Sequence, residues 1–249
     1  MCLVAFAWRA HPAWDLVLGA NRDEFHERPT AAAMWWEEPA MLAGRDMRAG
    51  GTWLGVTRER RFAAVTNFRD PGDTRAAARS RGELPVAFLA GTQPAEVFAQ
   101  QAWTLRDAYN GFNLLLGDGE ELWYAGSRDA QGPRRIEPGV HVLSNALLDT
   151  PWPKVERSGD RLGEALAQMD PERSVLALLA DRALAPDEAL PDTGVGLDWE
   201  RALSAPFIVT ERYGTRSSTY VAMGQGRMRF VERTFAAGGD PRATREYEW

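Results

Sequence analysis

Cys2 is the only cysteine of the chain, and its position next to Met1 could support nucleophilic chemistry. If Met1 is removed, Cys2 becomes the first residue and carries both a thiol and a free α-amine. The ordinary pKa values of these groups, about 8.5 and about 7.7–8.0, would let one residue supply both nucleophile and base. The alternative is a small apolar residue that opens a strand. A single cysteine also excludes an internal disulfide and a zinc site built from several thiolates.

The segments around Cys2 predict how its surroundings are built. Two runs rich in strand-forming residues, 3–8 and 16–21, flank a loop that contains Pro12 and predict an antiparallel hairpin. In that hairpin the numbers of paired residues sum to about 24, so Cys2 should lie opposite Arg22. We expect Asp23 to orient the α-amine and Arg22 to favour the thiolate. The alternative is that this polar run only ends a strand.

The order of the remaining elements predicts the fold class. Strands are expected near residues 53–57, 62–67, 113–116, 122–125, 140–143, 207–210, 219–223 and 227–235. A capping box at Ser80 and Glu83 and a Pro94 start predict two helices, and two more are expected at about 154–169 and 171–184, the last capped by Asp170. This order predicts an α+β fold, a four-layer αββα sandwich with two stacked antiparallel sheets. Without repeats or a long linker, residues 1–249 should form a single domain.

Composition and charge exclude several functions. The chain has 249 residues with 29 basic and 35 acidic side chains, a formal net charge of -6 that disfavours nucleic-acid binding. The apolar run Cys2–Trp8 is too short to span a membrane, so we expect no stable membrane insertion and a cytoplasmic location. Lys154 is the only lysine, which we attribute to codon usage in a GC-rich genome. His11, His26 and His141 are too scattered for a zinc motif, so no metal is expected.

Short motifs follow the chain from its start to about residue 235. They are Met1-Cys2-Leu3-Val4, Gly19-Ala20-Asn21-Arg22-Asp23-Glu24-Phe25 with Arg28-Pro29, Gly51-Thr52-Trp53-Leu54-Gly55, Thr66-Asn67-Phe68-Arg69, Ser80-Arg81-Gly82, Tyr109-Asn110-Gly111-Phe112-Asn113, Leu143-Ser144-Asn145 and Tyr213-Gly214-Thr215-Arg216-Ser217-Ser218. In this order they resemble the NRDE family, also called the transport and Golgi organisation protein 2 family. The resemblance implies the αββα sandwich of the N-terminal-nucleophile hydrolases. It also implies an association with haem trafficking and with lipid and acyl-coenzyme A homeostasis, without an agreed reaction.

A more distant resemblance implies a mechanism. The chain is similar to the choloylglycine hydrolases and penicillin V acylases, which cut amide bonds with an N-terminal cysteine. With Cys2 and Asp23, this resemblance assigns Asn67 to the oxyanion, Asn145 to substrate or amine orientation and Arg216 to charge balance. An oxyanion donor of this kind is worth about 2.7–4 kcal/mol. These amidases carry arginine where this chain has Ala20. Arg22, on the same strand face, either takes that place or leaves a fold whose hydrolytic activity is lost or redirected.

The two resulting hypotheses use different residues. The first is hydrolysis of an amide or thioester of a small acyl substrate by Cys2, with no cofactor required. The alternative is a non-enzymatic cytosolic protein that binds and traffics haem or a related lipophilic ligand. Trp35, Trp36, Met34, Met41 and Met47 could line a soft apolar cleft for that ligand, with arginines holding its acidic groups, or they could pack in the core. The expected substrate-binding residues are Asn21, Arg22, Trp35, Trp36, Arg45 and Trp53.

Overall fold

The computed structural model describes residues 2–73, 79–224 and 226–249. The described chain divides into two compact units. The first unit runs from the start of the described chain to Glu27 and resumes at Pro138–Trp249, and the second is Arg28–Glu137. Each unit contains one antiparallel sheet together with helices, so the predicted α+β class with two antiparallel sheets is confirmed. That the whole chain is a single domain stays a prediction.

The elements are named here in chain order. The strands are β1 (Cys2–His11), β2 (Trp14–Phe25), β3 (Thr30–Trp36), β4 (Met41–Asp46), β5 (Leu54–Val56), β6 (Phe62–Asn67), β7 (Phe112–Gly117), β8 (Leu122–Gly126), β9 (Arg134–Arg135), β10 (Gly139–Leu143), β11 (Tyr213–Gly224), β12 (Arg227–Phe235) and β13 (Pro241–Glu248). The α-helices are α1 (Glu83–Ala90), α2 (Ala95–Thr104), α3 (Pro153–Ala165), α4 (Glu172–Leu179) and α5 (Leu197–Leu203). No helix among the described residues is long and apolar enough to cross a membrane.

The first unit is built on a six-stranded sheet with the order β10-β1-β2-β11-β12-β13. The hairpin predicted around Pro12 forms its second and third strands, and Cys2 pairs with Arg22 as expected. Both strands continue past their predicted ends: β1 reaches His11, which pairs with Trp14, and β2 continues to Phe25 because its polar end pairs with β11. The hairpin register is therefore set by local chain geometry and extended by a partner almost 200 residues away in sequence.

The core of the first unit lies between this sheet and helices α3 and α4. Leu3, Ala5 and Ala7 pack in one cluster with residues of both helices. Gly19 lies directly beneath α4, where an added Cβ would come within 2.5 Å of Val175 Cγ1. Since side chains alternate along a strand, Cys2 and its cross-strand partner Arg22 point to the sheet face opposite these helices.

The second unit is built on a seven-stranded sheet with the order β3-β4-β5-β6-β7-β8-β9. Helices α1 and α2 pack on it through a cluster that includes Phe88, Ala99 and Leu114. The β3-β4 hairpin within this sheet was not predicted, because the alternation of apolar and polar side chains is weak in a segment with so many alanines and aromatics.

Several sequence predictions about individual elements are wrong. The predicted strand 207–210 is a loop that makes only an isolated bridge from Val209 to Gly214. The capping box is also absent: Gly82 precedes α1, no side chain caps the helix, and the Glu83 carboxylate accepts the Tyr109 hydroxyl at 2.7 Å instead. Helices α3 and α4 end at Ala165 and Leu179, before the predicted ends. Asp170, which was predicted to cap α4, accepts the Glu172 N–H with its Oδ1 at 3.2 Å, as a cap would.

Two of the glycine motifs meet in the second unit. An added Cβ on Gly51 would lie 2.5 Å from both the carbonyl carbon and the oxygen of Gly82. The Thr52 N–H donates to that same Gly82 oxygen at 3.1 Å. The two segments therefore touch backbone to backbone, which explains why each motif carries a glycine at this point.

We expect Gly51→Ala to destabilise the protein by about 1–3 kcal/mol, because the methyl group must displace main-chain atoms rather than a side chain. The matched control is Gly163→Ala on the exposed face of α3, where an added Cβ meets nothing within 4 Å. Alanine there should raise stability by up to about 1 kcal/mol through helix propensity. Urea unfolding measures both, and equal effects of the two variants would contradict the contact.

Candidate functional site

Cys2 lies at the first position of β1, between β10 and β2, and is partly exposed. Its carbonyl oxygen accepts a hydrogen bond from Ser144 Oγ at 3.3 Å. The backbone of Asp23 hydrogen-bonds to its sulfur and favours the thiolate. These contacts come from both neighbouring strands, so the main chain and the sulfur of Cys2 are held by the sheet itself.

Burial raises the pKa of the Cys2 thiol and outweighs every other influence on it. The negative charge of Asp23 raises the pKa further, whereas the Asp23 backbone hydrogen bond and the positive charge of Arg22 lower it. Arg22 therefore lowers the pKa of the thiol, as expected, but the rise caused by desolvation is larger. At neutral pH the sulfur is a thiol, so any nucleophilic attack needs a base to accept its proton.

Asp23 is 2% exposed and is fixed at the end of β2. Its Oδ1 accepts the hydroxyl of Thr215 at 2.7 Å, and that hydroxyl oxygen accepts the Ile208 N–H at 2.9 Å. Burial raises the pKa of the Asp23 carboxyl to about 6, against the positive charges of Lys154 and Arg22 and the Thr215 hydrogen bond. The group thus changes between acid and carboxylate just below neutral pH.

Lys154 is a member of this cluster that sequence reasoning missed. It is 2% exposed and lies in the first turn of α3, directly after Pro153. An ammonium at a helix N-terminus is repelled by the helix dipole, and burying it is costly unless an anion is near. Its charge acts on Asp23, which supplies that anion. The composition contained a signal for this residue: only one of the 29 basic residues is lysine, and it is the one at position 154.

Asn145 is placed beside Cys2 by the strand on its other side. Leu143, the last residue of β10, pairs with Val4 on β1, and the chain then continues through Ser144 to Asn145. The Ser144 hydroxyl lies 3.3 Å from Asn145 Oδ1 and 3.3 Å from the Cys2 carbonyl oxygen. Asn145 has no exposed surface. One hydroxyl thus lies between the side chain of Asn145 and the main chain of Cys2.

Arg216 occupies a β-bulge at the end of the sheet. The pairing of β2 with β11 passes from Asp23 opposite Thr215 to Arg22 opposite Ser217, which leaves Arg216 as the extra residue. Its Nη1 donates to the carbonyl oxygens of Phe25 at 2.9 Å and His26 at 3.3 Å. Burial and the charge of Arg22 lower its pKa. Arg216 therefore fixes the chain just past Asp23.

Asn21 and Arg22, both predicted to bind substrate, have different surroundings. Both hydrogens of the Asn21 amide are donated to main-chain carbonyls, those of Leu179 and Pro206, each at 2.8 Å. Its oxygen accepts the Ser218 hydroxyl at 2.6 Å. Asn21 thus ties α4 to the sheet, and these contacts do not support substrate binding. Arg22 is buried on the same strand face as Ala20, 3.8 Å from a Glu24 carboxylate oxygen.

Tyr213 is a second residue that sequence reasoning did not assign. It is buried, and its ring makes edge contacts with Phe25 and Trp199 at centroid distances of 5.2 and 5.7 Å. Burial raises the pKa of its phenol well above the ordinary value, and the charges of Asp23 and Cys2 add to the rise. Tyr213 therefore belongs to the electrostatic surroundings of the thiol. It opens the 213–218 motif, of which only Arg216 had been given a role.

The remaining predicted residues lie in the second unit. Asn67 ends β6, opposite Phe112 on β7. Trp36 is part of the core, and its Nε1 donates to Ala43 O at 3.0 Å. The other three pack locally: Arg58 covers the Trp35 ring at 4.4 Å, Arg45 covers Trp36 at 4.6 Å, and the Trp53 ring lies against Gly44. Substrate binding by these residues stays a prediction, and the core position of Trp36 does not support it.

A metal site is not found in the described part of the chain, where no three His, Cys, Asp or Glu side chains are close enough to hold an ion. The site of the first unit combines predicted and unpredicted residues. Sequence reasoning identified Cys2, Asp23 and Asn145, and it did not identify Lys154, Thr215 and Tyr213.

Comparisons with known proteins agree with the motifs. Residues 1–237 match the family model described as Transport and Golgi organisation 2. The chain is 35% identical to the Transport and Golgi organization protein 2 homolog of Bos taurus, over 97% of this chain and 95% of the relative. It is 35% identical to the Homo sapiens homolog, over 94% and 93%, and 26% identical to the Drosophila melanogaster protein, over 97% and 94%. Among solved structures, it is similar to a Caenorhabditis elegans N-acylethanolamine-hydrolyzing acid amidase ortholog at a TM-score of 0.43 and 12% identity, over 88% of this chain and 92% of that one.

Asp23→Asn should change how stability depends on pH. The raised pKa means that the folded protein holds a proton on Asp23 that the unfolded chain has already released, so stability falls as pH rises toward about 6. Relative to the asparagine variant, the wild type should lose about 2 kcal/mol between about pH 4.5 and about pH 8. Urea unfolding of both proteins at the two pH values measures this difference. A constant difference would contradict the raised pKa.

Lys154→Met should raise the pKa of Asp23 further, because it removes a cation that favours the carboxylate. The carboxyl-carbon NMR signal of Asp23 measures the titration directly, without reference to any activity. The control is Arg161→Met on the same helix, whose guanidinium lies 3.2 Å from Asp181 instead. Lys154→Arg should keep the Asp23 midpoint nearer to that of the wild type than Lys154→Met does. An unchanged midpoint in Lys154→Met would show that the ammonium does not act on Asp23.

Proposed function

The chain belongs to the Transport and Golgi organisation 2 family, and we propose that it is a cytosolic N-terminal-cysteine hydrolase that cleaves an amide or thioester bond of a small acyl substrate with Cys2. The observation that carries the proposal is the position of Cys2 at a strand start beside Asp23 and Asn145. Such a cluster couples one thiol to a titratable carboxyl group and a buried amide.

The reaction requires that Cys2 become the first residue. Met1, which must be removed, lies outside the described residues. The freed α-amine then accepts the thiol proton while sulfur attacks the substrate carbonyl carbon, so a carbon–sulfur bond forms. The tetrahedral intermediate expels the amine or thiol, which takes the proton from the α-ammonium. Water, deprotonated by the same amine, attacks the acyl-enzyme and releases a carboxylic acid and the Cys2 thiol.

The raised pKa of the thiol explains why this mechanism suits the site. A neutral thiol is a weak nucleophile, and a base on the same residue needs no further side chain to reach it. Asp23, as a carboxylate above about pH 6, would accept a hydrogen bond from the α-ammonium and hold it beside the sulfur. Lys154 would keep Asp23 ionised. Asn145 would orient the substrate, and Asn67 remains the proposed oxyanion donor.

The alternative proposal is a non-enzymatic cytosolic carrier of haem or a related lipophilic ligand, bound near the β3-β4 hairpin. Met34 and Met47 are exposed there, 41% and 58%, and Trp35 is partly exposed, so these three could contact a ligand. Met41 and Trp36 are core residues and are removed from that proposed surface. Under this alternative, Cys2→Ala leaves ligand affinity unchanged and Trp35→Ala lowers it.

The test begins with the intact mass of the purified protein, which should lack Met1. Incubation with acyl thioesters and acyl p-nitroanilides of increasing chain length should then give an acyl adduct and turnover. Cys2→Ala should reduce turnover by at least about a thousandfold while the thermal midpoint is kept, because the nucleophile is lost but a small apolar side chain remains.

The matched control keeps the thiol and removes only the free amine. In that protein an uncleavable extension precedes Cys2, so the thiol still reacts with iodoacetamide but amide turnover should be lost. Retained turnover in the extended protein would refute a mechanism based on the α-amine. Retained turnover in Cys2→Ala would refute the nucleophile altogether.

A further inference from the structure

A surface groove of the first unit lies between the end of α4 and helix α5. Its volume is about 400 Å³, within the range of small-molecule sites. Apolar side chains form much of the lining: Phe207 and Ala205 are buried at its floor, and Leu184 and Val209 are exposed, 58% and 42%. Exposed aliphatic side chains beside a buried aromatic ring provide a surface for an apolar chain of a ligand.

The groove also contains a fixed positive charge. Arg182 Nη2 donates to the carbonyl oxygen of Gly239 at 3.1 Å, and its guanidinium covers the Phe207 ring at 4.9 Å. Within the described residues no carboxylate lies at ion-pair distance from Arg182. Arg201 and Asp198 also line the groove and form an ion pair with each other at 3.0 Å, and Arg201 forms a second ion pair with Asp187 at 2.6 Å. The structure therefore orients one guanidinium at the groove without an anion to match it.

A glycine in a left-handed conformation packs directly against three of the lining residues. Gly239 has φ +82, and an added Cβ would lie 2.8 Å from Arg182 Nη2, 2.8 Å from Phe207 Cε1 and 3.1 Å from Val209 Cγ2. Its neighbour Gly238 has φ +90, yet an added Cβ there meets nothing within 4 Å. The loop before β13 thus closes against the arginine and the floor of the groove at one residue only.

We propose that this groove, named here the Arg182 groove, binds a small molecule that joins an anionic head to an apolar chain. The head pairs with the Arg182 guanidinium, and the chain lies along Phe207, Leu184 and Val209. A carboxylate and a phosphate monoester share this chemistry, since both accept two hydrogen bonds from one guanidinium. The site rests on residues outside the Cys2 cluster and does not depend on the proposed hydrolase activity.

Isothermal titration calorimetry with short amphiphiles tests the groove. Octanoate and mono-octyl phosphate are the two anionic probes, and their relative affinities identify the preferred head. Octanol lacks the charge and acetate lacks the chain. We expect saturable one-to-one binding of at least one octyl anion, and binding at least about tenfold weaker for octanol and for acetate. Failure of both octyl anions to bind, or equal binding of octanol, would overturn the proposal.

Two pairs of variants locate the binding site. Arg182→Gln should weaken binding of the octyl anion by at least about tenfold, whereas Arg173→Gln, an exposed arginine on α4, should not. Gly239→Ala should also weaken binding, whereas Gly238→Ala, with the same backbone strain, should not. Cys2→Ala should leave the affinity unchanged. Thermal melts establish that each variant is folded. Binding that survives Arg182→Gln, or that is lost in Cys2→Ala, would place the anion elsewhere and refute the groove.

Discussion

The register of the β1-β2 hairpin is the constraint on which the site depends. A slip of one residue would turn every side chain of β1 to the opposite face and move Cys2 into the layer that packs on α3 and α4. The observed register pairs Cys2 with Arg22 and places Asp23 opposite Thr215. The bulge at Arg216 moves the partner of Arg22 to Ser217 while Asp23 stays opposite Thr215. One local turn therefore fixes the positions of sulfur and carboxyl group together.

With this register, burial and the nearby cations have opposite effects on the pKa values of Cys2 and Asp23, and the effect of burial is larger at both groups. Burial raises the pKa of Cys2 and of Asp23 although cations lie near each of them. Near neutral pH the cluster therefore holds a protonated thiol at Cys2 and, above about pH 6, an ionised carboxylate at Asp23. Lys154 limits the cost of this arrangement, because its charge favours the carboxylate while the carboxylate stabilises a buried ammonium at a helix N-terminus. Each partner makes the burial of the other less unfavourable.

Sequence reasoning succeeded where the determining contacts are local. The hairpin, the partner of Cys2 and most strands follow from alternation and turn residues only a few positions apart. The joint order of the motifs identified the family. Lys154, Thr215 and Tyr213 lie more than 130 residues from Cys2 along the chain, and no periodicity relates them to it. The close approach of Gly51 to Gly82 is likewise a tertiary contact, and the expected capping box failed because the chain is already helical at Gly82.

The loop at 206–209 joins the nucleophile cluster to the surface of the same unit. Its main chain contacts the interior of the unit: Pro206 O accepts the Asn21 amide, Ile208 N–H donates to the Thr215 hydroxyl that holds Asp23, and Ile208 O accepts the Thr215 N–H. The alternate side chains, Phe207 and Val209, line the Arg182 groove. The Phe207 N–H also donates to Asp181 O at 2.8 Å, so main-chain hydrogen bonds hold the segment that carries both groove residues. The backbone of this segment is irregular, so the predicted strand does not form. The same irregular backbone lets the segment contact both the nucleophile cluster and the groove.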